Sequence, residues 1–252
     1  IDPPSFVRAL ARPARVIEAK AVGLTRSDDG VRVRLDTGES IAAGAAIVAN
    51  GADALCFAEA RTLPLSRMGG QIDIFPTATA AATACAFGPY AAPAPSGGVV
   101  IGATYERLPA GSRARPSRAA TRSTIDAIAA ALPDLARQLR DLSSTPRASV
   151  RCQTPDRLPV AGPAPDIHYY GAHYDDLRLG KARDYPQGRV AARIYLLSGL
   201  GSRGLVTAPL CAEMILADMT GAPSPVGHDV AEALHPARFF IRDLKRAVRR
   251  RK

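Results

Sequence analysis

The sequence predicts a mixed α/β (α+β) protein, and three features predict it. Between residues 21 and 42, alternating apolar residues are broken by Asp28-Asp29-Gly30 and Asp36-Thr37-Gly38, the turn chemistry of an antiparallel meander. Two apolar runs that end close to glycine, Ala45 to Ala49 before Asn50-Gly51 and Ile194 to Leu197 before Gly199, read as buried strands. Helical periodicity covers Ser117 to Leu142 and Leu205 to Met219. At 252 residues, with 47% hydrophobic and 22% charged, the chain can bury one large core or two smaller ones.

Taken in order, Pro3-Pro4 followed by Ser5, Phe6, Val7 and Leu10 predicts a short helix with proline in its first turn. Strands are expected at Arg15–Ala19, Ala21–Thr25, Val31–Leu35 and Glu39–Ala42. Longer ones follow at Gly70–Phe75, Ala84–Tyr90 and Gly98–Tyr105, separated by Pro/Gly/Ser loops. Pro133 starts a second stretch of the helical region. Ala148–Cys152 reads as a strand and Thr154–Pro165 as a proline-rich loop. Residues His168 to Gln187, polar and rich in tyrosine, read as an irregular surface insertion. The helix from Leu205 stops at Gly221 and Pro223, and a last helix is expected through Phe239, Phe240, Leu244 and Val248.

Composition excludes several classes. The sequence contains no run of about 18 apolar residues, so no membrane span is expected; Ala78 to Ala86 is too short. Cys56, Cys85, Cys152 and Cys211 are far apart, without a C-x-x-C pair, and read as free thiols of a reducing cytoplasm. No metal site is assigned. His168, His173, His228 and His235 have no partners at recognisable spacing, and no Ser/His/Asp set or paired carboxylates stand out.

The net charge is +10, and Arg238, Arg242, Lys245, Arg246, Arg249, Arg250, Arg251 and Lys252 face a single acid, Asp243, in the carboxyl-terminal block. Such a block suits a polyanion such as nucleic acid, and equally a solvated tail.

Gly199-Leu200-Gly201-Ser202-Arg203-Gly204 is a literal G-x-G-x-x-G between a strand and a helix. A dinucleotide fingerprint needs a second strand ending in an acid about 20 residues onward, and that distance falls in Gly221-Ala222-Pro223-Ser224-Pro225. A Rossmann dehydrogenase is therefore disfavoured. The loop can still bring its backbone close to a ligand, and the helix start offers N–H groups to an electron-rich group. A tight turn without a ligand fits the same residues.

Ala46-Ile47-Val48-Ala49-Asn50-Gly51-Ala52-Asp53 resembles the second flavin motif of glutathione-reductase-like FAD proteins, and Val22 in Ala21-Val22-Gly23-Leu24 matches the valine that touches adenine there. Asn50 stands where Thr or Ala is commoner. Leu63-Pro64-Leu65 through Gly69-Gly70-Gln71, Gly98 to Tyr105 and Arg151 to Gly162 resemble consecutive motifs of the D-amino-acid-oxidase and glycine-oxidase superfamily. Gly199–Gly204 then corresponds to its glycine loop at the pyrimidine side of the flavin. Leu200 to Glu213, and His235 to Phe240 with basic residues after them, look like the tRNA-modifying members of that superfamily.

The resemblance implies a partial glutathione-reductase-like FAD-binding domain and a mixed or antiparallel substrate sheet with flanking helices. Residues 1–62 and 191–234 are expected in the first, 63–165 in the second, with 166–190 an insertion and 235–252 a basic tail. It implies FAD as cofactor, held by Val22, Ala49, Asn50, Gly51, Gly199, Leu200, Gly201, Ser202, Gly204 and Leu205. The implied reaction, on a CH–NH group, is oxidative removal of the carboxymethyl group from a 5-carboxymethylaminomethyl wobble uridine of tRNA. The imine that forms hydrolyses to an aminomethyl uridine and glyoxylate. Arginine suits the substrate carboxylate: Arg203 in the glycine loop, with Arg151 and Arg67 as alternatives, and Tyr105 lining the pocket. The family's FAD fingerprint lies upstream of the position of Ile1, as does a methyltransferase segment in the tRNA-modifying members. The chain is thus expected to be the carboxyl-terminal part of a longer cytoplasmic enzyme. Two other readings stand: a small-molecule amine or amino-acid oxidase, and an FAD-free remnant that binds RNA.

Overall fold

Pro3 and Pro4 preset the first turn of α1 (Pro3–Ala11), and the Asp2 carboxylate accepts the Ser5 N–H at 3.1 Å. This is a computed structural model, which describes residues 2–246 except 28, 77, 79–82, 96, 181 and 182. The meander forms as β1 (Ala21–Ser27), β2 (Gly30–Leu35) and β3 (Ser40–Ala43), antiparallel in that order. Gly38, at φ +88°, makes the reversal between β2 and β3. Arg15–Ala19 is not a strand: the segment is exposed on every side, and ladder pairing begins only at Ala21 with Leu35.

β4 (Ala46–Val48) follows, then β5 (Ser66–Phe75). The strand expected at Ala84–Tyr90 is instead a hairpin, β6 (Cys85–Ala86) and β7 (Tyr90–Pro93), turned at Gly88 with φ +110°. The strand expected at Gly98–Tyr105 divides into β8 (Val99–Gly102) and β9 (Glu106–Leu108), both antiparallel to β5. Between them Thr104 replaces a ladder pair, its hydroxyl accepting the Gln71 N–H at 2.9 Å. The helical region divides at Pro133 into α2 (Arg118–Ala129) and α3 (Pro133–Arg140).

β10 (Thr145–Gln153) comes next, and β11 (Val160–Pro165) lies in what reads as a proline-rich loop. Val160, Ala161, Ala164 and Pro165 are buried, which the prolines disguise. The expected irregular insertion contains α4 (Ile167–His173), capped by Asp166, whose carboxylate accepts the Tyr169 N–H at 3.1 Å. β12 (Val190–Ser198), α5 (Gly204–Thr220), α6 (His228–Leu234) and α7 (Ala237–Arg246) complete the order. Val248 and the basic residues Arg249, Arg250, Arg251 and Lys252 lie outside the described residues. No helix among the described residues is long and apolar enough to cross a membrane.

The chain divides into two units. The first comprises residues 1–10 and 67–151. Its sheet runs β10-β5-β8-β7-β6, with β9 also on β5. Phe75, Val99 and Ile101 of the sheet cluster with Ile125, Ile128 and Leu139 of α2 and α3, all at most 5% exposed. Asp73, at 0% exposure, has no ion-pair partner among the described residues. It accepts instead from Gln71 Nε2 (3.0 Å), Thr121 Oγ1 (2.8 Å) and Ser144 Oγ (2.9 Å), tying β5 to α2 and to the start of β10.

The second unit comprises residues 11–66 and 152–252. Its sheet is β11-β12-β4, with β12 antiparallel to β11 and parallel to β4. Val48, Val160, Ile194 and Leu196 bury against Phe57 and Phe239. Ile47, expected within a fully buried strand, is 48% exposed, because β4 is an edge strand. Tyr170 and Tyr174 pack with Ala237 and partly buried Phe240, Ile241 and Leu244, so the insertion supplies the bed for α7.

Candidate active site

In the second unit, β4 and β12 are parallel neighbours, Leu196 opposite Val48, so their carboxyl ends open at the same edge of the sheet. From that edge emerge Ala49-Asn50-Gly51 and the loop Gly199–Gly204. Carboxyl ends of parallel strands are where α/β sheets place ligands. Ser198 Oγ donates to the Gly51 carbonyl at 2.9 Å, and Gly201 N–H donates to the Cys152 carbonyl at 2.8 Å, fixing the two loops to one frame. Gly51, Gly199 and Gly201 have φ of +64°, +68° and +56°, the region that favours glycine. At Gly199 a Cβ would also lie 2.6 Å from Thr154 Cγ2.

α5 starts in this loop without a side-chain cap and without an acid in its first turn. The N–H groups of Ser202, Gly204 and Leu205 have no acceptor among the described residues. Uncapped N–H groups at a helix start favour an anion or a carbonyl edge. Arg203 is the N-cap residue itself, and its exposed side chain has no partner among the described residues. Val22 sits at a bulge of β1 and is 39% exposed. A cavity of about 1010 Å³ elsewhere in this unit, lined by Gly162, Tyr170, Asp218, His235 and Ile241 among others, includes none of these loop residues.

In the first unit, Arg151 of β10 reaches over β5. A Cβ on Gly70 would overlap its guanidinium, so only glycine leaves the cation room. Its Nη1 donates to the Thr104 carbonyl at 3.4 Å, and its Cζ lies 5.8 Å from the centre of the Tyr105 ring. Tyr105 is 54% exposed. Tyr90 of β7 packs over Gly102, where a Cβ would come within 2.7 Å of its hydroxyl. Burial raises the Tyr90 pKa above 10.0, and the Arg151 charge opposes that. One cation, one protonated phenol and one exposed aromatic ring thus gather at one place. A guanidinium with a hydroxyl donor suits a carboxylate.

The structure therefore brings Arg151 and Tyr105 together within one unit, while Arg203 belongs to the glycine loop of the other. Arg67 Nη2 donates to the Ser112 carbonyl at 3.1 Å and holds a loop. Sequence reading missed Tyr90 and the role of Gly70; only strand pairing makes either a neighbour of Arg151. In the basic tail, Arg238 is occupied internally, its Nε 3.0 Å from Asp156 Oδ2 and its Nη2 3.0 Å from the Leu158 carbonyl. Its charge is therefore not free for a polyanion, contrary to the expectation from composition.

A family model described as FAD dependent oxidoreductase (DAO) matches residues 1–219, and the chain belongs to that family, which is FAD-dependent. Among its relatives is the tRNA 5-methylaminomethyl-2-thiouridine biosynthesis bifunctional protein MnmC of Pseudomonas syringae pv. tomato, 35% identical over 263 residues. That match covers 98% of this chain and 39% of the relative. The protein of the same name from Burkholderia thailandensis is 37% identical over 240 residues, covering 93% and 36%. The chain thus spans less than half the length of these curated relatives. Among solved structures, iminodiacetate oxidase from Chelativorans sp. BNC1 shares the fold with TM-score 0.68 at 20% identity, covering 92% of this chain and 57% of that one. Glycine oxidase from Geobacillus kaustophilus does so with TM-score 0.66 at 17% identity, covering 87% and 52%.

Proposed function

We propose that the protein is the flavin oxidoreductase part of a tRNA-modifying enzyme, one that removes the carboxymethyl group from 5-carboxymethylaminomethyl-(2-thio)uridine at the wobble position. The observation that carries this reading is the carboxylate cradle of Arg151 over Gly70. It occurs in a chain similar to relatives named for tRNA 5-methylaminomethyl-2-thiouridine biosynthesis.

The residues to hold FAD are Val22, Ala49, Asn50 and Gly51, with Gly199, Leu200, Gly201, Ser202, Gly204 and Leu205. The open N–H groups of Ser202, Gly204 and Leu205 suit the carbonyl edge of a flavin ring, and Arg203 adds positive charge there. Bound FAD supplies the two-electron acceptor, which lets the CH–NH bond of the carboxymethylamine become an imine that water then cleaves. Arg151 orients the substrate carboxylate through paired N–H bonds, and the Thr104 carbonyl holds its guanidinium. Tyr90, kept protonated by burial, donates a further bond. Tyr105 offers an exposed ring to the base that carries the side chain. With tRNA as partner the reaction is cytoplasmic. The FAD fingerprint and the methyltransferase activity belong, on this reading, to the remainder of the longer enzyme, and the basic residues Lys245, Arg246, Arg249, Arg250, Arg251 and Lys252 add affinity for tRNA.

The test is glyoxylate release from tRNA carrying the 5-carboxymethylaminomethyl group, by protein supplied with FAD. Release that depends on that group and falls in Arg151→Lys is expected. Oxidation of free glycine-type amines with tRNA inert would instead establish a small-molecule oxidase. RNA binding without any oxidation would establish an FAD-free remnant.

A further inference from the structure

A run of unpaired positive charge among the described residues follows Tyr105 in the chain. From Arg107 to Arg122 the sequence holds five arginines, Arg107, Arg113, Arg115, Arg118 and Arg122, and no acid; the next acid is Asp126. All five are exposed. None has an ion-pair or hydrogen-bond partner for its side chain among the described residues. By contrast, Arg137 and Arg140 nearby, on α3, each pair with an aspartate.

The run is presented by a fixed frame. Arg107 lies on β9, immediately after Tyr105 and Glu106, and β9 pairs with Arg67–Gly69 of β5. The loop that follows is held at Ser112, whose carbonyl accepts from Arg67 Nη2 at 3.1 Å, and turns at Gly111 with φ +74°. At its far end Ser117 N–H donates to Gln71 Oε1 at 2.7 Å, and Gln71 Nε2 donates back to the Ser117 carbonyl at 3.2 Å. Gln71 alternates with Gly70 along β5, so its side chain and the start of α2 lie on the face of the sheet opposite the one over which Arg151 reaches.

The start of α2 is capped by the Ser117 side chain. Its first turn carries no acid, and Arg118 stands there in place of one, where a cation opposes the helix dipole. Ser117 Oγ accepts only the Ala120 N–H, and the N–H groups of Arg118 and Ala119 have no acceptor among the described residues. An external anion would satisfy the open N–H groups and the unpaired guanidiniums together.

We infer that Arg107, Arg113, Arg115, Arg118 and Arg122, which follow Tyr105 in the chain from β9 into α2, form a phosphate-binding track that docks the backbone of the nucleic-acid substrate. This rests on the reading of tRNA as substrate and adds where its backbone is gripped. Exposed aromatic residues next to a basic track are how proteins hold unstacked single strands, and a wobble base must leave its stack to reach a flavin.

The experiment is tRNA binding by the whole chain, followed by fluorescence anisotropy over a range of salt concentrations. The variant is Arg113→Gln/Arg115→Gln/Arg118→Gln/Arg122→Gln, compared with a tail variant, Lys245→Gln/Arg246→Gln. Loss of four phosphate contacts is expected to lower affinity at least about tenfold and to reduce the slope of log affinity against log salt by about 3. The tail variant is expected to change the slope less. All four arginines are exposed, so the unfolding midpoint should be unchanged. Unaltered affinity and slope in the quadruple variant, with wild type binding tRNA, overturns the track and leaves the tRNA reading standing. Wild type that binds no tRNA overturns both.

Discussion

The guanidinium of Arg151 occupies the space that a side chain at position 70 would take, so two residues far apart in the chain depend on each other. Gly70→Ala is expected to displace the cation and lower kcat/KM for a carboxylate-bearing substrate about 100-fold, the cost of a misplacement near 1 Å. Unfolding in urea checks that the fold survives. Arg151→Lys removes the paired donor geometry and is expected to cost about 2 kcal/mol, near 30-fold in kcat/KM. Equal loss for a substrate lacking the carboxylate would contradict the role. The glycine loop was legible in the sequence because its residues are consecutive and glycine has few reasons to recur at that spacing. The carboxylate site was legible only in part. Arg151 and Tyr105 stood in recognisable motifs, whereas Tyr90 enters through the pairing of β7 with β8, opposite Gly102, which no local pattern announces.

At the scale of elements, two buried polar contacts decide how helices are held. Asp73 is the acceptor for three donors from β5, α2 and the segment before β10. Asp73→Ala leaves Ser144 Oγ without its acceptor and takes one acceptor each from Gln71 Nε2 and Thr121 Oγ1, and is expected to cost at least about 1 kcal/mol in urea unfolding. A change near zero would mean the network is incidental. Between α6 and α7, His235 Nδ1 accepts the Ala237 N–H at 3.1 Å. Burial lowers its pKa below 6.5, with the Arg238 charge acting the same way and Asp218 and Glu232 opposing. The folded state thus resists a proton that the unfolded chain accepts. Its contribution is full above pH 6.5 and is lost as pH falls below that value. His235→Asn keeps an acceptor and removes the titration, so the urea midpoint should fall less between pH 8 and about pH 5.5 than in wild type. The elements that escaped sequence reading share a cause. β11 carries prolines at Pro163 and Pro165 yet pairs with β12, and α4 is read as loop because its tyrosines look polar until Tyr170 packs against Ala237 and Phe240 of α7. The strand at 98–105 divides where the Thr104 hydroxyl accepts the Gln71 N–H, a long-range contact the local pattern cannot contain.

For the whole molecule, one unit carries glycine loops at the carboxyl ends of parallel strands, and the other gathers Arg151, Tyr90 and Tyr105 at one place. The chain belongs to an FAD-dependent family, and its relatives are named for tRNA 5-methylaminomethyl-2-thiouridine biosynthesis. The chain matches 39% of the Pseudomonas relative's length, so assays belong on protein supplied with FAD and, in parallel, on that full-length relative. The most direct measurement is the visible spectrum of the flavin-loaded protein, kept anaerobic, as tRNA bearing the 5-carboxymethylaminomethyl group is added. The account predicts bleaching of the oxidised flavin band in proportion to that group. It also predicts no bleaching by tRNA from which the carboxymethyl group is already gone. An unbleached spectrum with the modified tRNA, or bleaching that free glycine produces and tRNA does not, would contradict it.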